Sequence, residues 1–161
     1  METTIRGIVI HPKTKKVLMC YYKNWKTYMV PGGHVDGDES DEVALKREMF
    51  EECGSTKIKI VKHLIDLLVS NKETGDKSLH KYYLIKVNKI DPKNRNLEPG
   101  EVIDGLTLKW VTPEEVIDTN KKAYYDSITL DNLSSLPLVE REIVLFNYLI
   151  KEGLIWVRDI E

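Results

Sequence analysis

Short apolar runs separated by polar turns fill most of the first two thirds of the chain, and they predict strands. Valine and isoleucine, which favour an extended backbone, dominate the first run. The polar turn at residues 11–15 predicts that the first two runs form a hairpin. The fourth and fifth runs predict a second hairpin, with a bulge in the longer strand. The predicted strands are Thr4–Ile10, Lys16–Tyr22, Tyr28–Val30, Lys57–Val69, Leu79–Val87 and Leu106–Val111.

Helical spacing appears in two longer stretches. The first covers about residues 40–53, where Ser40 suits an N-cap and Gly54 suits a C-terminal stop. The second covers about residues 137–152, where apolar side chains recur three and four positions apart and predict an amphipathic helix. Thr112 and Glu115 form a capping box, which predicts a helix beginning at Pro113. This order of elements predicts a single α/β domain over residues 1–161 with a mixed sheet.

Composition and charge exclude several classes of protein. The chain has 161 residues, enough for one sizeable core, and a net charge of −2, which favours neither nucleic acid nor an anionic membrane. It has no apolar run long enough to span a membrane and no secretory signal at its start, so we expect a cytoplasmic location. Cys20 and Cys53 are expected to be buried free thiols. The apolar tail around Trp156 suggests packing on the core or a homodimer.

Three acidic residues share one face of the first predicted helix. Glu48, Glu51 and Glu52 fall within about 100° of the helix circumference, with the small Ala44 one turn earlier. Like charges at this spacing repel, so a solvated charged face and a cation site are the two interpretations. Carboxylate oxygens are hard ligands that suit Mg²⁺ or Mn²⁺. A divalent metal site on this helix is therefore the functional hypothesis.

The spacing around these acids resembles the signature box of the Nudix hydrolase family, whose MutT-like members are pyrophosphohydrolases. The match covers every charged and glycine position of the box and departs at its last position, where Ser55 replaces an aliphatic residue. So many specified residues at fixed offsets make a specific motif. The matching residues are Pro31, Gly32, Gly33, Glu39, Arg47, Glu48, Glu51, Glu52 and Gly54.

The resemblance implies an α/β/α sandwich around a mixed central sheet, with Mg²⁺ as cofactor and Mn²⁺ as a substitute. It implies Glu48, Glu51, Glu52 and the carbonyl of Gly32 as metal ligands. Glu48, Glu51 and Arg47 are the candidate catalytic group. Gly33, Glu39 and Gly54 are expected to support the site, with Arg47 bridging to Glu39 or Glu51.

Two features of the site stay open at the level of sequence. The general base is Glu48, or it comes from the polar stretch Lys89–Gly105, where Glu101 and Glu98 are the candidates. Lys23 and Trp25 are candidate contacts for substrate phosphates and for a base, although isolated lysines are usually surface charges. The number of metal ions is also open.

The resemblance implies hydrolysis of a diphosphate bond in a nucleoside diphosphate linked to another moiety. A small-molecule (d)NTP or modified NTP is favoured by exclusion. Ser70 stands where the family's ADP-ribose group has proline and its dinucleoside polyphosphate group has tyrosine. The alternatives are an ADP-ribose or nucleotide-sugar pyrophosphatase, a non-catalytic nucleotide-binding regulator, and an RNA 5′ pyrophosphohydrolase. A regulator would be expected to lose box acids, and an RNA enzyme to carry a basic groove.

Overall fold

A computed structural model of the chain describes residues 1–70, 74–103, 105–129 and 136–155. In these ranges the chain forms seven strands, four α-helices and one short 3-10 turn, Pro92–Asn94. The strands are β1 (Glu2–Ile8), β2 (Val17–Tyr22), β3 (Thr27–Met29), β4 (Gly32–His34), β5 (Ile58–Ser70), β6 (Lys77–Val87) and β7 (Leu106–Val111). The helices are α1 (Asp41–Cys53), α2 (Pro99–Ile103), α3 (Pro113–Thr129) and α4 (Leu136–Lys151).

The chain divides into two compact units, and each unit is made of two segments that alternate along the sequence. The first unit contains Met1–Val9 and Val30–Ile103. The second contains Ile10–Met29 and the described part of Asp104–Glu161. The chain therefore passes between the units three times, and a single domain over residues 1–161 stays a prediction.

The first unit is built on a four-stranded sheet in the order β4-β1-β6-β5. Strands β1 and β6 run parallel, while the β1–β4 and β5–β6 pairs are antiparallel, so the predicted mixed sheet of an α/β fold is confirmed. The β5–β6 hairpin and the bulging of its longer strand are also confirmed, with register shifts between Ile60 and Lys62 and between His63 and Ile65.

The predicted hairpin of the first two strands is wrong. Strand β1 pairs with β4 and β6, whereas β2 pairs with β3 and β7, and one bridge between Ile10 and Val17 remains of the expected pairing. Five consecutive buried residues end β1, a pattern typical of a central strand covered on both faces. Such a strand needs two neighbours, which a local hairpin does not supply.

Two irregular stretches are more ordered than the sequence indicates. The glycine pair of the box, which gives no strand signal in the sequence, lies in β4, where Gly32 is opposite Arg6 and Gly33 is opposite Ile5. The polar stretch Lys89–Gly105 contains the 3-10 turn and helix α2. Short elements of three to five residues have too few side chains to give a periodic signal.

Helix α1 packs against β1 and β4 in the first unit. Ala44, Leu45, Met49 and Cys53 are fully buried, and Cys53 is a free thiol as expected. The other large apolar residues buried in the described part of this unit are Ile5, Ile8, Val9, Val30, Tyr82 and Ile85. This packing fixes which face of α1 carries the acids.

The second unit joins a three-stranded antiparallel sheet, in the order β3-β2-β7, to helices α3 and α4. Asn120 of α3 holds β3 through two hydrogen bonds of 2.9 Å with the backbone of Tyr28. Cys20 is buried and free. Helix α4 occupies the predicted amphipathic stretch, whereas Trp156 lies outside the described residues. No helix in the described ranges is long and apolar enough to cross a membrane.

Candidate active site

Helix α1 brings the three acids of the box together inside the first unit. Ser40 caps its start by accepting a 3.2 Å hydrogen bond from the Val43 amide, and Gly54 ends it in the left-handed conformation at φ 70°. The solvent-exposed fraction is 8% for Glu48 and 2% for Glu52, and Glu51 is partly exposed. Buried carboxylates are costly unless they are paired or bind a cation.

Arg47 connects these acids to the loop before the helix. Its Nε and Nη2 both donate to the Glu39 carboxylate at 2.9 Å, and its Nη1 donates to Glu48 at 2.9 Å and to Glu51 at 3.4 Å. Nη2 also donates to the carbonyl of His34 at 2.9 Å. The Glu39 hydrogen bonds contribute most to raising the Arg47 pKa, and Arg47 in turn lowers the pKa of Glu39. Arg47 thus holds three carboxylates in one arrangement.

The two glycines of β4 stand where a side chain would collide. A Cβ on Gly33 would lie 2.6 Å from Oε1 of Glu48. Gly32 has φ 148°, and a Cβ there would lie 2.0 Å from the carbonyl oxygen of Ile5. The Gly32 amide donates to Oε1 of Glu52 at 2.6 Å. The backbone of β4 therefore contacts two acids of α1 directly.

Burial shifts the protonation of the two interior acids. Burial raises the pKa of Glu48 to about 7, with the nearby carboxylates of Glu51 and Glu101 adding to the rise and Arg47 opposing it. Burial also raises the pKa of Glu52 well above its usual range, and the charge of Glu101 is the second largest cause of this rise. Arg6 and the Gly32 amide act in the opposite direction on Glu52. Two carboxyl groups with raised pKa values in one place are typical of a functional site.

Glu101 reaches this cluster from a different element. It lies in α2, and its side chain hydrogen-bonds with that of Glu52 and adds to the raised pKa values of Glu48 and Glu52. The amide of Glu98 donates to Oε1 of Glu101 at 2.9 Å, which orients the carboxylate. Of the two loop acids proposed as base, Glu101 contacts the box acids and Glu98 positions it.

Among the described residues, no three His, Cys, Asp or Glu side chains already stand in a metal-binding arrangement. The carboxylates of Glu48 and Glu51 are bonded to Arg47, and Glu52 is bonded to the Gly32 amide. Their chemistry nevertheless fits a divalent ion, because several hard oxygen donors meet in a largely buried place beside a backbone that carries no Cβ.

The remaining predicted residues lie on other segments of the chain. Lys23 and Trp25 lie in the turn between β2 and β3 of the second unit, where both are exposed, and their contact with substrate stays a prediction. His34 is the last residue of β4; its side chain is exposed, and its carbonyl accepts from Nη2 of Arg47.

Sequence reasoning missed Arg6 of β1. Its side chain is 8% exposed, and its Nη1 donates to the Val30 carbonyl at 2.7 Å, just before the glycine pair. Its charge lowers the pKa of Glu52. The available signal was a charged residue inside an otherwise apolar strand, since arginine is rarely buried without a partner.

Known proteins share this fold. A NUDIX hydrolase from Nitrosomonas europaea is 18% identical, with 99% of this chain and 95% of that chain aligned at a TM-score of 0.65. The MutT protein from Methanosarcina mazei Go1 is 18% identical over 94% of both chains, with a TM-score of 0.58. An ADP-ribose pyrophosphatase from Streptococcus suis 89-1591 is 13% identical over 70% of this chain and 75% of that chain, with a TM-score of 0.51. Identities this low show the fold and not the substrate.

Sequence comparison at the level of the family is more decisive. No curated protein matches the chain. The profile of the NUDIX domain, however, matches residues 1–131, which include all of the box and Glu101. The chain belongs to the Nudix hydrolase family and is a pyrophosphohydrolase of that family.

Proposed function

We propose that this enzyme hydrolyses a diphosphate bond of a nucleoside triphosphate, normal or modified, with Mg²⁺ as cofactor and Mn²⁺ as a substitute. The observation that carries the proposal is the meeting of Glu48, Glu52 and Glu101 from two elements, with burial raising the pKa values of the first two. A divalent cation would offset the charge of these carboxylates when they are ionised.

Glu48, Glu51 and Glu52 would hold the metal, together with the carbonyl of Gly32. When bound, a divalent ion neutralises phosphoryl oxygens and lowers the pKa of a bound water. Arg47 would keep the carboxylates oriented, since it contacts Glu39, Glu48 and Glu51 together. Positioning and charge stabilisation account for most of the catalysis in phosphoryl transfer.

Glu101 is our choice for the general base. Glu48 is already engaged by Arg47 at 2.9 Å, whereas Glu101 approaches the same acids from α2. A carboxylate on a separate element can accept a proton without loosening the ligand set. Replacing Glu101 by Gln should therefore lower kcat more steeply than it weakens Mn²⁺ binding, and replacing Glu48 by Gln should weaken both.

A substrate panel tests the activity. Purified protein with Mg²⁺ would be incubated with (d)NTPs, oxidised NTPs, ADP-ribose, NADH, dinucleoside polyphosphates and 5′-triphosphate RNA, and phosphate and pyrophosphate release would be measured. Preferred turnover of NTPs is expected. Preferred turnover of ADP-ribose, of a dinucleoside polyphosphate or of RNA would overturn the substrate class, and tight nucleotide binding without turnover would favour a regulator.

Replacing Glu52 by Gln tests the metal assignment. We expect kcat to fall by at least about a hundredfold, because a buried ligand carboxylate is lost while the side-chain volume is kept. The matched control is Glu42→Gln, which removes the same charge from an exposed position of the same helix. Mn²⁺ binding followed by electron paramagnetic resonance should weaken in the first variant and not in the second. Full activity of Glu52→Gln would contradict the assignment.

A further inference from the structure

The segment Lys89–Glu98 follows β6 and leads to α2, which carries Glu101. Most of its side chains are exposed or partly exposed, so apolar burial contributes little to holding it in place. Its position must come from specific hydrogen bonds. Those bonds are made to the C-terminal end of α1, the helix that carries the acids of the box.

Two backbone hydrogen bonds attach the segment to the last turn of α1. The amide of Asp91 donates to the carbonyl of Cys53 at 2.9 Å, and the amide of Asn96 donates to the carbonyl of Glu51 at 2.8 Å. Carbonyls of the last helical turn have no partner within the helix, so they are available for such contacts. Gly54 permits the approach, because a Cβ there would lie 2.0 Å from the carbonyl oxygen of Asp91.

A third bond is made by a side chain. The hydroxyl of Ser55, which is 0% exposed, donates to the carbonyl of Lys89 at 2.5 Å. This bond joins the residue directly after Gly54 to the first residue of the segment. An aliphatic side chain, which the family usually has at this place, could fill the space but could not donate.

We propose that Ser55 is a positioning residue that latches the segment Lys89–Glu98 to α1 and thereby places Glu101 against Glu52. The amide of Glu98 at the end of the segment holds the Glu101 carboxylate at 2.9 Å, so a shift of the segment moves that carboxylate. The inference rests on the proposed function for its effect on catalysis and on the hydrogen bonds alone for its effect on the segment.

Hydrogen–deuterium exchange in Ser55→Ala tests the latch directly. Exchange of the Asp91 and Asn96 amides, measured on peptides covering residues 89–98, should become about tenfold faster, which corresponds to the loss of one ordinary hydrogen bond. Thr4→Val is the matched control, since it deletes another buried hydroxyl that bonds to His80 at 2.8 Å in the same unit. It should leave exchange in these peptides unchanged. Unchanged exchange in Ser55→Ala would overturn the latch.

A second variant keeps the test independent of the cavity that alanine creates. Ser55→Cys changes one atom, leaves no cavity because the thiol is somewhat larger than the hydroxyl, and replaces the hydroxyl by a weaker donor. Exchange between that of the wild type and that of Ser55→Ala is expected. Wild-type exchange in Ser55→Cys together with fast exchange in Ser55→Ala would assign the effect to packing and overturn the hydrogen-bond latch.

Kinetics separate positioning from a merely structural role. On the substrate that the panel identifies, Ser55→Ala should lower kcat three- to tenfold while KM stays within twofold. In a Glu101→Gln background the same substitution should lower kcat no further, because the residue it positions is already disabled. An equal loss in both backgrounds would show that Ser55 does not act through Glu101. If no substrate is turned over, the proposed function fails, and the exchange experiment still decides the latch.

Discussion

At the scale of single residues, the shape of the site depends on a missing side chain as much as on the acids. Gly33 has no positive φ, so backbone freedom does not explain a glycine there. Its place is explained by Glu48, whose carboxylate occupies the volume that a Cβ would need. Residue 33 must therefore be glycine so that the Glu48 carboxylate has room in this position.

Replacing Gly33 by Ala should displace the Glu48 carboxylate, because the added Cβ would lie 2.6 Å from its Oε1. We expect kcat/KM to fall at least tenfold with little change in Tm. The control is Gly37→Ala, which has φ 48° and no atom within 4 Å of the added Cβ. It should cost about 1 kcal/mol of stability through the left-handed backbone and leave activity intact. Wild-type kinetics in Gly33→Ala would contradict this account.

Residue spacing predicted the contacts that are local in sequence. Arg47 and Glu39 are eight positions apart, and their bridge was expected from the box and is present. The burial of Arg6 against Val30 and the meeting of Glu101 with Glu52 join residues far apart in the chain. Such contacts depend on strand pairing and on the path of a loop, which side-chain periodicity does not contain.

At the scale of elements, the first turn of α1 is tied to β6 by a polar triad. The Tyr83 hydroxyl donates to Asp41 at 2.5 Å, and Nζ of Lys81 lies 3.2 Å from the same carboxylate oxygen. Burial opposes ionisation of Asp41, but the hydrogen bonds from Tyr83 and Lys81 outweigh it and lower the Asp41 pKa. Burial and the bond to Asp41 raise the Tyr83 pKa to about 12.

Replacing Tyr83 by Phe should reduce the free energy of unfolding by about 1 kcal/mol near pH 7, the usual net value of one hydrogen bond. A lowered carboxylate pKa gives stability that is present above about pH 4 and lost as pH falls through the folded value. A raised tyrosine pKa gives stability that is lost as pH rises from about 10 towards 12. The difference between wild type and Tyr83→Phe, measured by urea unfolding, should therefore shrink at both extremes. A difference independent of pH would count against the triad.

Element type was predicted better than element pairing. The capping signals of α1 at Ser40 and Gly54 and the β5–β6 hairpin are local, and the structure contains both. The pairing of β1 with β6 is parallel and joins residues about 76 positions apart, which a run of apolar residues cannot specify. The wrong first hairpin has the same cause, since proximity in sequence was the argument for it.

At the scale of the whole molecule, a bound cation should couple catalysis to stability. In the absence of a metal the buried carboxylates oppose folding by their desolvation, and an ion that binds them in the folded state shifts the equilibrium towards that state. The size of this shift follows from the affinity of the site and the concentration of the ion.

Saturating Mg²⁺ should raise Tm by about 5–10 °C, which corresponds to about 2.7 kcal/mol at a hundred times Kd in a chain of this size. A chelator should remove both this increase and the activity, and excess Mg²⁺ should restore them. Thermal unfolding of Glu52→Gln serves as the comparison and should show most of the increase lost. The same increase in that variant would place the stabilising ion at another site.

Strand β1 acquires one of its two neighbours late in the synthesis of the chain. It has five consecutive buried residues and lies between β4 and β6, and β6 begins at Lys77. At roughly 5–20 residues per second, a ribosome makes β6 about 4–15 s after β1. During that time β4 can pair with one edge of β1, while the other edge has no partner. One edge of β1 therefore stays unpaired for seconds, until β6 has been synthesised.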